Sequence, residues 1–221
     1  MFPLNDDNPI SITPWINWGL IGMNIFIFLY EITQPEQQLN QFFHMYALIP
    51  QEFSTNPSGE WLTLITSQFL HGGWLHVGAN MLYLWIFGNN IEDRMGHIPY
   101  LLFYITCGIL AALSQWFISM GSTIPSLGAS GAIAGVLGAY ILRFPQAKVL
   151  TLVFIVFFAT TIRIPAMYVI GIFFIQNLLS GLASINASTT MMQGGVAYWA
   201  HIGGFAFGAI LAPFFGLYRR D

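Results

Sequence analysis

The sequence predicts an all-α membrane protein, a bundle of six transmembrane helices with a short interfacial segment before helix five. Hydrophobic residues make up 56% of the 221 residues, charged residues only 7%, and the mean hydropathy is +0.65. A soluble domain carries roughly a quarter charged residues. A helix needs about 20 mainly apolar residues to cross ~30 Å of hydrocarbon, and six mainly apolar segments near this length occur along the chain.

The composition also excludes several classes of protein. Six Lys and Arg residues are too few to form a phosphate-binding surface, so we expect no nucleic-acid partner. A single cysteine, Cys107, excludes a disulfide scaffold. We expect no metal, because neither a cysteine nor a carboxylate accompanies His71 and His76 to complete a tetrahedral ligand set. No segment indicates a cofactor.

The predicted spans follow the apolar segments in order. They are Trp15–Tyr30, Trp74–Gly88, Pro99–Ser119, Leu127–Leu142, Pro165–Ser184 and Tyr198–Leu217. A further apolar run, Val149–Ala159, would rise only about 16 Å as a helix, too short to cross a bilayer. We interpret this run as an interfacial or protein-covered segment that leads into helix five. Residues 1–14 then form a short cytoplasmic segment, residues 15–217 a single transmembrane domain, and residues 218–221 a cytoplasmic tail.

The basic residues predict the orientation of these spans. With six spans, the segments after helices two, four and six share a side with the N-terminus. All six basic residues lie there: Arg94, Arg143, Lys148, Arg163, Arg219 and Arg220. The opposite loops, 31–60, 120–126 and 185–197, contain none. Because Lys and Arg are enriched in cytoplasmic loops, we expect both termini in the cytoplasm. The small size and the lack of a targeting segment favour a bacterial cytoplasmic membrane.

Polar residues open each even-numbered helix. The clusters are His71–Asn80 on helix two, Leu127–Gly131 on helix four and Trp199–Gly204 on helix six. In the predicted orientation all three lie at similar depth, a few residues below the outer surface. Ionisable and strongly polar residues inside spans are costly and usually functional. The outer loop 31–60 is rich in aromatic residues, so we expect it to lie partly in the membrane interface.

Each polar residue also has a purely structural interpretation. An intramembrane serine most often bonds its own preceding turn, and an asparagine such as Asn80 often joins two helices. Small residues favour the joint interpretation, because Gly131 and Gly135 on helix four, and Gly204 and Gly208 on helix six, would let the two helices approach closely. If these faces meet, Ser130 and His201 lie opposite each other.

These residues resemble the motifs of the rhomboid family of intramembrane serine proteases. The matching segments are Gly128–Gly131, Ala200–Gly204 and His76–Met81, together with the polar turn Gly88–Gly96 after helix two. Their order and their positions on helices two, four and six agree with that family. The resemblance covers about Trp61–Gly208, most of the chain, and three motifs in the right order are far more specific than one.

The resemblance implies a mechanism and a site. It identifies Ser130 as the nucleophile and His201 as the general base, a pair without a carboxylate. It assigns the side chains of His76 and Asn80, with the backbone N–H of Ser130, to an oxyanion hole. It further implies transmembrane protein substrates that reach the site laterally from the lipid bilayer, past a gate at helix five.

One position departs from the family pattern. Many rhomboids have an aromatic residue four positions after the serine that packs on the catalytic histidine, and this chain has Ala134. The sequence therefore leaves open what holds the ring of His201, with Tyr198, Trp199 and Tyr168 as candidates.

Two other functions compete with proteolysis. A catalytically silent relative would bind transmembrane clients, but such relatives lose the serine or the histidine, and this chain has both. A small-solute transporter would normally carry charged residues across the midplane, whereas helices four to six contain no Asp or Glu.

Overall fold

The computed structural model describes residues 2–155, 158–185 and 196–218, and the chain is mostly helical there. The helices are α1 (Trp15–Glu31), α2 (Glu36–Tyr46), α3 (Pro50–Thr55), α4 (Pro57–Glu60), α5 (Thr63–Thr66), α6 (Trp74–Tyr83), α7 (Asn89–Met95), α8 (His97–Ile118), α9 (Ser130–Arg143), α10 (Ala166–Ile185) and α11 (Tyr198–Leu211). Short 3-10 segments follow α5 and α11, at Ser67–Phe69 and Ala212–Phe215, and a π-helical segment, Leu84–Gly88, joins α6 to α7. The strands are β1 (Phe2–Asp6), β2 (Lys148–Ile155) and β3 (Phe158–Pro165).

Three of the described helices are long and apolar enough to cross a membrane. They are α8, the stretch Ala166–Ser184 of α10, and α11 with its 3-10 continuation, Tyr198–Phe215. Helix α9 is apolar but shorter. The chain is therefore a helical membrane protein, and the count of six spans stays a prediction. The predicted loop 31–60 folds into the short helices α2 to α4, whereas most of the predicted loop 185–197 and the tail residues Arg219–Asp221 lie outside the described residues.

Helix α9 lies at the centre of the bundle. Every residue from Gly131 to Tyr140 is buried, and the helix packs against α11 on one side and α8 on another. Ala, Gly, Val and Leu make up most of this stretch, so neighbouring backbones come close on all sides. With 14 residues, α9 rises only about 21 Å, less than the ~30 Å thickness of the hydrocarbon core.

The helical stretch from α6 to α7 is locked to α1 and α8 by polar groups at its π-helical segment. Asn17 of α1 donates its side-chain amide to the carbonyl oxygen of Leu84 over 3.0 Å and accepts from the Tyr100 hydroxyl of α8 over 2.7 Å. A side chain at Gly88 would overlap both Asn17 and Tyr100. The widened π-helical turn and the glycine together make room for the side chains of Asn17 and Tyr100.

A buried carboxylate caps the start of α1. Helix α1 follows Pro14 and has no side-chain cap of its own. Glu92 of α7, fully buried, accepts the backbone N–H groups of Ile16 and Asn17 over 3.0 and 2.7 Å, and its carboxylate also meets His97 Nδ1 at 2.5 Å. An anion at a helix N-terminus satisfies free N–H groups and interacts favourably with the helix dipole. The polar turn Gly88–Gly96, which follows predicted helix two, thus holds α1 in place.

The structure adds a small sheet to the predicted helical fold. The predicted N-terminal segment 1–14 and the run Val149–Ala159 contribute to a three-stranded antiparallel sheet with the order β1-β2-β3. Strands β2 and β3 form a hairpin whose register pairs Lys148 with Pro165. The run is rich in Val and Phe, which favour strands. Pairing with a second strand satisfies backbone groups that a short isolated helix would leave free at its ends.

We predict that replacing the capping carboxylate destabilises the helical domain. In Glu92→Gln, a single amide oxygen replaces two carboxylate oxygens, and an NH₂ group then faces a backbone N–H. The free energy of unfolding should fall by about 1–3 kcal/mol, measured as a lower thermal midpoint in detergent. Glu36→Gln, at an exposed position on α2, is the matched control. Equal midpoints for the two variants would contradict the capping role.

Candidate active site

Ser130 is the first residue of α9, and a glycine turn presents it. Gly128 has φ +123°, a conformation that residues with a side chain rarely adopt. A Cβ at this position would also lie 2.7 Å from His76 Nε2 and 3.7 Å from Ser130 Oγ. The backbone N–H of Gly128 donates to the Ser67 carbonyl oxygen over 2.8 Å, which fixes the turn. Glycine is therefore required here both for the backbone conformation and for the space beside His76.

The hydroxyl of Ser130 meets the imidazole of His201. Ser130 Oγ and His201 Nε2 lie 2.7 Å apart, within hydrogen-bond distance, although the two residues are 71 positions apart in the sequence. His201 lies in the first turn of α11 and is only 8% exposed. The structure thus brings together the two side chains that the sequence places opposite each other.

Glycines bring α9 and α11 into backbone contact. A Cβ at Gly204 of α11 would overlap the carbonyl oxygen of Gly131, and a Cβ at Gly208 would overlap Gly135. On α9, a Cβ at Gly138 would overlap the carbonyl oxygen of Phe205. The faces of small residues predicted on helices four and six, which are α9 and α11, thus meet. Their contact sets the distance between Ser130 and His201.

The other side of the His201 ring is held by α10. His201 Nδ1 lies 2.6 Å from the side-chain oxygen Oδ1 of Asn177. The ring of Phe173 packs beside the imidazole, with ring centroids 5.8 Å apart and an interplanar angle of 37°. The sequence names Tyr198, Trp199 and Tyr168 as candidates to hold this ring. In the structure the ring contact comes instead from Phe173, with Asn177 one helical turn later.

Asn177 is not among the residues predicted for the site, although two signals in the sequence point to it. Asn177 is an amide inside an apolar span, where strongly polar side chains are costly and need partners. It also follows an aromatic residue, Phe173, by four positions, so that both side chains lie on one face of the helix. What the sequence could not show is that this face turns towards α11.

His76 and Asn80 lie one turn apart on α6, as their spacing predicts. The His76 ring lies beside Gly128, close to the serine turn. The side chain of Asn80 is buried, and its Nδ2 lies 2.9 Å from His71 Nε2. The structure thus brings His76 towards Ser130, while the described hydrogen bond of Asn80 is made with His71.

His71 continues this hydrogen-bonded chain to α1. Its backbone N–H lies 3.2 Å from both carboxylate oxygens of Glu31, a buried residue at the end of α1. An amide NH₂ group can only donate, so His71 Nε2 accepts from Asn80 and the His71 ring is neutral. One N–H of Asn80 is used in this way, and the second is left for another acceptor.

The arrangement of hydroxyl and imidazole is one that can support acyl transfer. A hydroxyl within hydrogen-bond distance of a neutral imidazole can act as a nucleophile, because the imidazole takes its proton. Free N–H groups at the start of α9 lie beside that hydroxyl. Within the described residues 2–155, 158–185 and 196–218, no cluster of three or more His, Cys, Asp or Glu side chains is placed to hold a metal ion.

The fold and the site together define a helical membrane protein with a Ser–His pair between two glycine-packed helices. Residues 58–218 match the family described as the Rhomboid domain. The chain belongs to the rhomboid family. It is an integral, multi-pass membrane protein.

Several curated proteins are similar to this chain. Rhomboid protein 1, mitochondrial, of Saccharomyces cerevisiae is 29% identical over 198 residues, which cover 87% of this chain and 51% of the yeast protein. Presenilin-associated rhomboid-like protein, mitochondrial, of Bos taurus is 28% identical over 65% of this chain and 36% of its own length. Rhomboid protease GluP of Bacillus subtilis is 40% identical over 40% of this chain and 17% of its own length.

These relatives bear on the predicted location and on the extent of the protein. The chain spans about half the length of the yeast relative and less of the other two. The yeast and bovine relatives are named as mitochondrial. The predicted location in a bacterial cytoplasmic membrane therefore has no support from the comparisons.

We predict that a methyl group at the α9–α11 contact forces the two helices apart. In Gly208→Ala the new Cβ would overlap the backbone of Gly135, and overpacking of this kind destabilises by about 1–3 kcal/mol. The measurement is the thermal midpoint in detergent. Gly22→Ala, on α1 with no atom within 4 Å of the new Cβ, should leave the midpoint unchanged or higher. A Gly208→Ala midpoint equal to that of Gly22→Ala would rule out the close approach.

Proposed function

We propose that this chain is an intramembrane serine endopeptidase that hydrolyses peptide bonds in or near the transmembrane segments of other membrane proteins. The observation that carries the proposal is the 2.7 Å separation of Ser130 Oγ and His201 Nε2. Membership of the rhomboid family supports it, since one similar protein is named a rhomboid protease.

The proposed reaction follows from this pair of side chains. His201 Nε2 takes the hydroxyl proton as Ser130 Oγ attacks the carbonyl carbon of the scissile bond. The resulting imidazolium then gives that proton to the leaving amine, the carbon–nitrogen bond breaks, and an acyl ester on Ser130 remains. A water molecule, deprotonated by the same imidazole, hydrolyses the ester and restores the hydroxyl.

The oxyanion of the tetrahedral intermediate requires hydrogen-bond donors, and three groups are proposed for it. The backbone N–H of Ser130 belongs to the first turn of α9, whose N–H groups have no partner within the helix. The side chain of His76, the second group, lies beside Gly128. The second amide N–H of Asn80 is the third, since His71 occupies the first. Each preorganised donor of this kind contributes about 3–4 kcal/mol to lowering the barrier.

The substrate is proposed to reach the site sideways from the lipid. Ser130 begins a helix of only about 21 Å, shorter than the hydrocarbon core is thick. This length supports a site below the outer surface of the membrane. The proposed topology has six spans, with both termini on the same side. Tyr83 of α6 and Phe173 of α10 form an aromatic contact, with centroids 6.0 Å apart. We propose this contact as the place where a transmembrane substrate enters. The substrate must unwind locally, because a helix holds its carbonyl groups in internal bonds.

Residues 15–217 are proposed to form one catalytic domain, with residues 1–14 and 218–221 as short segments at its two ends. A catalytically silent client-binding role is disfavoured, because Ser130 and His201 are both present and within hydrogen-bond distance. No cofactor is needed for the proposed reaction.

We expect Ser130→Ala to abolish both covalent labelling by a fluorophosphonate and cleavage of a model transmembrane substrate by the detergent-solubilised protein, because the attacking oxygen is gone. Ser114→Ala is the matched control, since the hydroxyl of Ser114 donates to the Leu110 carbonyl of its own helix. His201→Ala should reduce labelling severely, with a thermal midpoint near that of the wild type. Labelling that persists in Ser130→Ala would refute the nucleophile.

We expect Asn80→Ala to lower kcat by about 100-fold with little change in KM, because an oxyanion donor acts in the transition state. The thermal midpoint must be followed in parallel, since the variant also loses the bond to His71. Steady-state cleavage of the model substrate gives both constants. An increase in KM with an unchanged kcat would count against the oxyanion role.

A further inference from the structure

Asn177 makes two hydrogen bonds of opposite sense. Its side-chain Nδ2 donates to the carbonyl oxygen of Phe173, one turn earlier on α10, over 2.8 Å. Its Oδ1 lies 2.6 Å from His201 Nδ1. The side chain is buried between α10 and α11, with only 8% of the residue exposed.

The first bond determines which way the amide points. A carbonyl oxygen can only accept a hydrogen bond, so the NH₂ end of Asn177 must face Phe173. The amide oxygen then faces His201, and an oxygen can only accept from a ring nitrogen. His201 Nδ1 must therefore carry the proton, which leaves the lone pair of Nε2 directed at Ser130 Oγ. This is the tautomer that a general base requires.

We propose that Asn177 is a positioning residue that holds His201 in its catalytically competent tautomer and orientation. The inference rests on the proposed protease function and deepens it, turning the Ser–His pair into a Ser–His–Asn chain. The amide oxygen also stabilises the imidazolium that forms during the reaction. It does so without placing a second charge in the apolar interior, where an ionised carboxylate would be expensive.

Phe173 completes the support from the same helix. Its ring lies beside the imidazole, while its backbone carbonyl fixes the amide of Asn177. Two positions four residues apart on α10 therefore provide the support for the ring that many rhomboids have from an aromatic residue at the position of Ala134. Because both belong to α10, the orientation of the base depends on the position of this helix.

The test compares three variants of the full chain in detergent. Asn177→Leu keeps the size of the side chain and removes the acceptor. Asn177→Asp keeps the hydrogen-bond acceptor, since a protonated carboxyl can donate to Phe173 and accept from His201. Asn24→Leu is the matched control, because Asn24 lies buried in α1 and its amide donates to Leu20 over 2.7 Å in the same i to i−4 pattern.

We expect Asn177→Leu to lower kcat, and the rate of inactivation by a fluorophosphonate, by about 10- to 100-fold with KM unchanged, as for one hydrogen bond to a charged group. Asn177→Asp should retain most of the wild-type rate, and Asn24→Leu should retain all of it. A rate in Asn177→Leu equal to that of the wild type would overturn the proposal. So would an equal loss in Asn177→Asp and Asn177→Leu.

A spectroscopic readout separates positioning from a merely structural role. In protein labelled with ¹⁵N-histidine at mildly alkaline pH, the wild-type ring of His201 should show a protonated Nδ1, assigned by comparison with His201→Gln. Asn177→Leu should show a mixture of tautomers, and Asn24→Leu the wild-type spectrum. An unchanged tautomer in Asn177→Leu overturns the inference. The spectrum needs no activity, so a wild-type protein that fails to cleave or label would sink the protease proposal alone.

Discussion

The backbone contact between α9 and α11 is the constraint on which the rest of the site depends. A hydrogen bond between Ser130 and His201 tolerates only a few tenths of an ångström, and the side chains are short. The helices can approach this closely only because glycines face each other, with Gly204 against Gly131 and Gly208 against Gly135. In a membrane, where no hydrophobic driving force joins two helices, such close packing also supplies much of the attraction.

Charged and neutral polar groups have different places in this protein. The carboxylate of Glu92 accepts backbone N–H groups in the first turn of α1, and that of Asp93 accepts one from the segment before the helix. Around Ser130 the partners are hydroxyl, imidazole and amide. Neutral groups can be buried in an apolar interior as long as their hydrogen bonds are made, whereas an isolated charge there is far more costly. The proposed nucleophile, base and orienting residue therefore bond one another without a carboxylate among them, whereas the buried carboxylate of Glu31 bonds His71.

Helix α10 contacts both His201 and the aromatic pair proposed as the substrate's entry. Phe173 contacts both Tyr83 of α6 and the His201 ring, and Asn177 binds the same ring one turn later. The helix proposed to line the substrate's path thus also holds the base. Its start follows directly from β3, so the sheet at the other end of the molecule is continuous in sequence with this helix. A displacement of α10 would change the access path and the ring orientation together.

The sequence by itself determined the membrane class, the approximate positions of the main helices and, through its motifs, the family and the proposal that Ser130 pairs with His201. Composition, apolar length and glycine spacing are local properties that can be read along the chain. Only the tertiary structure decided that 1–14 and 149–165 contribute strands to one sheet, and that Asn177 and Phe173 hold the imidazole. Strand pairing and the facing of one helix towards another depend on partners far away in sequence. All faces of an apolar membrane helix are similarly hydrophobic, so the hydrophobic pattern does not indicate which face turns inward.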